Sequence, residues 1–129
     1  MADTLTQELL RLNQRLLDSI AVADWKTYAE LCDSTLTCFE PEACGQLVTG
    51  MEFHQFYFQF GPAEKPFNTT MASPHVRVMG DAAVISYVRL NQRVNGGVPS
   101  VRAVMETRVW QKQNGVWKHV HFHRSPAPQ

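Results

Sequence analysis

The sequence predicts an α+β fold in which a long N-terminal helix is wrapped by a strongly curved antiparallel sheet, and three observations carry that reading. Apolar residues at three-and-four spacing dominate up to about residue 60, and period-two alternation dominates from about residue 75. Short glycine-containing turns separate the later segments, which makes them an antiparallel meander. Such a meander twists strongly and closes around the helix as a cone with an open mouth. The 129 residues, 44% hydrophobic and 19% charged, suit one domain over 1–129 with its ordered core at about 4–124 and leave no room for a second.

Helix one is expected over residues 5–20, where Leu5, Leu9, Leu12, Leu16 and Ile20 form one stripe and Thr4 with Gln7 form a capping box. Asp24 then caps a short second helix through Trp25, Tyr28 and Leu31, which Asp33-Ser34 ends. A first strand runs from Leu36 to Glu40 and stops at Pro41. A third helix over about 50–60 places Phe53, Phe56, Tyr57 and Phe60 on one face and Met51 with Phe58 on the other. That second facet needs a cover, either another part of the chain or another subunit, so Met51 and Phe58 are the candidate oligomer-interface residues. The segment 61–66 is a loop. Strands follow at about 75–79, 83–92, 102–111 and 116–124, divided by Gly80-Asp81, Asn95-Gly96-Gly97 and Asn114-Gly115. The last five residues, with two prolines, read as a frayed tail.

Three late strands each carry an arginine on a face that is otherwise apolar. Alternation sets Arg89 beside Tyr87 and Ile85, Arg108 between Glu106 and Trp110, and Arg124 beyond Phe122 and Val120. If the three faces line one concavity, the cone holds a cationic pocket. The bland reading has each arginine pointing outward or paired with one carboxylate. Glu106 is either the partner that makes their burial bearable or a general acid or base. Neighbouring arginines push a carboxyl pKa down, so the setting favours anion binding over acid/base work. A guanidinium fork pairs two-pronged with a carboxylate, which makes a small carboxylic acid or an acidic peptide group the expected ligand.

His119, His121 and His123 alternate on the last strand and read as one outward row. Two histidines at that spacing can hold zinc, but no carboxylate pattern supports a metal, and neither metal nor cofactor is expected. No nucleophile motif is present, and Gly96-Gly97 is a hairpin turn, not a phosphate loop. Twelve basic and twelve acidic residues give zero net charge, which argues against a nucleic-acid partner and tolerates self-association. Cys32, Cys38 and Cys44 match no zinc or redox spacing, no signal segment is evident, and no apolar run reaches the roughly 20 residues of a membrane span. A cytoplasmic location away from membranes is therefore expected.

One resemblance covers nearly the whole chain. Its blocks are Phe39-Glu40-Pro41-Glu42-Ala43 through Phe56-Tyr57-Phe58, Pro74-His75-Val76 with Arg89-Leu90, and Glu106-Thr107-Arg108-Val109-Trp110 through Val120-His121-Phe122-His123-Arg124-Ser125. In these the chain resembles the association or hub domain of calcium/calmodulin-dependent protein kinase II. The resemblance implies a cone-shaped nuclear-transport-factor-2 or SnoaL-like fold. It also implies a non-catalytic scaffold whose dimers stack into two rings of roughly twelve or more subunits in total. Kinase-type chains carrying the same domain are then possible partners. It further implies a cavity with arginines at Arg89, Arg108 and Arg124, to which His54 and Tyr28 match other lining positions. The glycine loop and the HRD and DFG motifs of a kinase are not found, so no kinase activity is expected. The alternative is a small-molecule enzyme of isomerase, dehydratase or hydrolase type, because the same cone hosts such enzymes.

Overall fold

A computed structural model describes residues 3–129. Helix α1 (Thr4–Ala21) buries Leu9, Asn13, Leu16, Leu17 and Ser19, so the innermost line of the predicted apolar stripe is interrupted by an amide. Its cap is Asp3, not the predicted Thr4 box: the Asp3 carboxylate accepts from Thr6 N at 2.7 Å and Thr6 Oγ1 at 3.0 Å. An aspartate satisfies two donors there, and Thr4 is absorbed into the first turn. Helix α2 (Trp25–Leu31) is capped by Asp24 as the sequence indicates.

Strand β1 (Cys32–Phe39) begins directly after α2, earlier than the expected Leu36, because Asp33 caps a local turn through Thr35 without stopping the chain. A short 3-10 turn (Pro41–Ala43), β2 (Val48–Thr49) and α3 (Glu52–Phe58) follow. Four long strands complete the chain: β3 (Phe67–Met79), β4 (Ala82–Asn95), β5 (Val98–Gln113) and β6 (Val116–Pro126). The turns after β4 and β5 place Gly96, Gly97, Asn114 and Gly115 at positive φ, which these residues reach at low cost.

The six strands form one sheet in the order β2-β1-β6-β5-β4-β3. Every pairing is antiparallel except β1 with β6, which is parallel, so the late meander is extended at one edge by an early strand. β3 starts at Phe67, well before the expected residue 75. The Ser73-Pro74 break is taken up as an irregularity between Ala72 and His75, with Ser73 at φ 51, and the strand continues past it.

A second irregularity corrects the histidine row. Trp110 pairs with His119 and Val109 with His121, which leaves Val120 as an extra residue and reverses the strand's phase. Trp117 and His119 face inward before it, and Phe122 and Arg124 face inward after it; Val120 does not share their face. His119 is fully buried, while His123 is exposed.

The α3 facets are also reversed. Phe58 packs edge-on to Trp25, with ring centroids 5.1 Å apart, and lies 4.9 Å from Tyr28. Met51 and Phe53 are half-buried against the same core. Met51 and Phe58 are thus covered by their own chain, and the residues left in solvent are Phe56 (53% exposed), Tyr57 (43%) and Phe60 (71%). The helix is short and docks through its His54 side, which no helical period can reveal. The tail is held as well: Ala103 N–H donates to Gln129 Oε1, and Gln129 Nε2 donates to Ala103 O, each at 3.0 Å.

Candidate functional site

Between α1, α2, α3 and the inner face of the sheet lies a cavity of about 200 Å³. Its apolar wall is Ile20, Phe58 and Phe122, and its polar wall includes Tyr28, His54, Arg89, Arg108 and Arg124. Strand alternation brings the arginines there: Arg89 and Arg108 are buried on β4 and β5, and Arg124 follows the Val120 irregularity on β6. Glu106 is not part of the lining. It sits behind Arg89 and Arg108 at 3% exposure.

Glu106 organises the inner wall. Its Oε1 accepts from Tyr87 O–H at 2.5 Å and from Arg108 Nε at 3.1 Å. Its Oε2 lies 3.2 Å from Arg89 Nε, but the N–H does not aim at it, so that contact is an ion pair without a directed hydrogen bond. Burial alone would raise the Glu106 carboxyl, yet Arg108 and Arg89 outweigh it and hold the group below the ordinary carboxylate range.

The network continues outward. Tyr87 Oη accepts from Arg108 Nε and from Asn13 Nδ2, both at 3.0 Å, and Asn13 Oδ1 accepts from Trp110 Nε1 at 3.1 Å. Arg108 NH1 lies 3.4 Å from His119 Nε2, and its guanidinium carbon stands 4.4 Å over the Phe122 ring. Burial, and then Arg108, push His119 well below the ordinary histidine range, so it is neutral and offers Nε2 as an acceptor.

Two carboxylates at the end of β1, Glu40 and Glu42, complete the cavity; from the residue pattern only their place near a strand end is evident. Arg124 Nε donates to Glu40 Oε2 at 3.1 Å, and Arg124 NH2 donates to Glu42. Glu40 Oε1 faces His54 Nδ1 at 3.5 Å. Burial raises the Glu40 pKa more than Arg124 lowers it. Burial, then Arg108 and Arg124, push His54 down to about 4. The sequence signal for these residues is the Glu40-Pro41-Glu42 corner itself, two carboxylates brought to one strand end by a proline-initiated turn.

The cavity is therefore not the cationic pocket that strand faces alone suggest. Three guanidiniums meet three carboxylates, Glu106, Glu40 and Glu42, and the site is neutral within itself. Arg89 Nε has no hydrogen-bond partner among the described residues, and the residue lines the cavity. Cys38, Glu40 and His54 place one donor atom each within 4.8 Å of one another. Arg124 already occupies that Glu40 carboxylate and Arg108 also bears on it, so the trio does not suit a cation. His121 and His123 lie on the outer face, near Phe39, and do not converge with His119.

The calcium/calmodulin dependent protein kinase II association domain is the family whose model matches, over residues 5–128. The delta subunit of calcium/calmodulin-dependent protein kinase type II from Oryctolagus cuniculus is 45% identical over 126 residues, 95% of this chain and 24% of that protein. The chain thus spans about a quarter of that relative's length. The CamKII hub homology domain of Chlamydamonas reinhardtii superposes with a TM-score of 0.89 at 48% identity, covering 97% of this chain and all of that one. The association domain of the C. elegans kinase gives 0.88 at 46% identity, over 94% and 95% of the two chains. A nuclear-transport-factor-2-like superfamily protein from Salmonella enterica shares the fold at 24% identity, with a TM-score of 0.77 over 98% and 93%.

Proposed function

Because the chain belongs to the calcium/calmodulin-dependent protein kinase II association-domain family, we propose that it is a self-association scaffold built from copies of itself. The fold is the α+β fold of nuclear-transport-factor-2-like proteins. The observation that carries the proposal is the apolar surface left in solvent after Met51 and Phe58 are withdrawn into the core. Phe56 on α3 and Phe60 just beyond its end stack edge-on at 5.1 Å, and Phe39 and Met105 are exposed on strands β1 and β5. A stable assembly needs about 2,000 Å² or more per obligate interface, and aromatic clusters are the usual anchors of such contacts. The same reading extends to stacked rings of roughly twelve or more protomers and to co-assembly with kinase-type chains carrying this domain. Three free cysteines agree with a reducing compartment, which we take to be the cytoplasm. No helix of the described residues is long and apolar enough to cross a membrane.

The cavity is a second, subordinate part of the proposal: a site for a small carboxylate, received by Arg89 and Arg124 against the apolar wall. The enzyme alternative fits less well. Glu106 is held ionised between two arginines, and both oxygens of Glu40, the one cavity carboxyl pushed upward, are already engaged. Light scattering of the protein at low micromolar concentration tests the scaffold: a mass of many protomers supports it, and a monomer overturns it.

A further inference from the structure

We infer that Glu40 is the resident carboxylate of this cavity, and that an incoming monocarboxylic acid takes its place at Arg124 while Glu40 takes up a proton from solvent. The inference rests on the reading of the cavity as a carboxylate site. Its basis is charge balance: three guanidiniums, those of Arg89 and Arg108 buried and that of Arg124 half-buried, already face three carboxylates, so a further anion beside the buried Glu40 side chain leaves an uncompensated negative charge there. One proton restores neutrality.

Geometry selects the carboxylate that accepts it. Glu106 is locked behind the wall by Tyr87, Arg108 and Arg89. Glu42 meets Arg124 from the solvent side, with its side chain 38% exposed. Glu40, with its side chain 7% exposed, holds Nε, the edge of Arg124 that an acid inside the cavity must win. The groups facing Glu40 are Arg124 from β6, His54 from α3, Arg108 from β5, Cys38 from β1 and Glu42 across the turn. Burial already favours its neutral form, and a second carboxylate nearby favours it further. Once protonated, Glu40 donates to His54 Nδ1, which it already faces, while the opposite ring nitrogen, His54 Nε2, stands 3.8 Å from Cys38 Sγ. The ligand is thus a small, singly charged acid with an aliphatic body that lies on Ile20, Phe58 and Phe122.

Butyrate is the probe, with butyramide as the neutral control, measured on the full chain in whatever assembly it forms. Butyrate affinity is expected to weaken about tenfold per pH unit between about pH 6 and 8, the signature of one proton bound with the ligand. In unbuffered solution the wild-type protein takes up one proton per butyrate bound, a readout that needs no variant. Glu40→Gln binds butyrate more tightly at the upper end of that range and loses the pH slope; Glu42→Gln keeps it. Butyrate binding with no pH slope and no proton uptake overturns the exchange but leaves the carboxylate site standing. A slope lost in Glu42→Gln and kept in Glu40→Gln moves the exchange to Glu42 and overturns the assignment. No butyrate binding to the wild type or to Glu40→Gln at any pH overturns the carboxylate site and the exchange with it.

Discussion

Glu106 and Arg108 stand two residues apart on the buried face of β5, and Arg108 Nε donates to Glu106 Oε1 at 3.1 Å. Neither charge has another route to water, and Arg89 depends on the same carboxylate. Glu106→Gln keeps the shape and removes the negative charge, which leaves two buried guanidiniums uncompensated. The expected loss is about 3–5 kcal/mol, read as a lower urea midpoint with an unchanged slope.

Asn13 gives a neutral counterpart to that test. It is the one residue of α1 that ties Tyr87 and Trp110 together, donating at 3.0 Å to one and accepting at 3.1 Å from the other. Asn13→Leu keeps the branched shape but strands a buried indole N–H. A cost of about 1–3 kcal/mol is expected in the same urea measurement, smaller than for Glu106→Gln because no charge is left unpaired.

Acid stability follows from the two buried histidines. His119 lies well below its ordinary value and His54 at about 4, so both are neutral in the folded protein at pH 6 while their unfolded counterparts bind protons. Stability is therefore fully present above about pH 6.5 and falls as pH drops from there toward 4, by about 1.4 kcal/mol per pH unit for each histidine. Glu40 acts in the opposite sense, since its folded pKa is raised. His119→Asn retains an acceptor for Arg108 and is expected to remove the contribution of one proton from the slope of unfolding free energy against pH between about 4.5 and 6. An unchanged slope would show that His119 is not held neutral.

The two faces of α3 separate assembly from folding. Phe56→Ser with Phe60→Ser changes residues in solvent, so the stability of the protomer shifts by no more than about 0.5 kcal/mol while the assembled mass drops. Phe58→Ala instead removes a ring packed on Trp25 and Tyr28 and costs about 3 kcal/mol of protomer stability. Light scattering beside thermal denaturation distinguishes the two outcomes.

Local pattern was enough to locate α1, α2 and the three long strands from β4 onward, because each is bounded by a turn or cap of known chemistry. It also placed Arg89, Arg108 and Arg124 on inward faces. Features that depend on distant partners were not legible. The parallel pairing of β1 with β6 joins residues more than eighty positions apart, and β2 is only two residues long. The extra residue Val120 changes which side chains face inward, and alternation cannot anticipate it without the partner strand. The seven residues of α3 are too few for a period to decide between its faces. The arginines read as a cationic cluster for the same reason: their counter-charges Glu40 and Glu42 sit in a corner that only the folded chain brings to them.

If this domain exists to assemble with itself, the mass of the intact species by native mass spectrometry at low micromolar concentration shows it most directly. A closed assembly of roughly twelve or more protomers, reduced by the paired Phe56 and Phe60 substitutions, is the expected result. A folded species with the mass of one protomer under those conditions would contradict it.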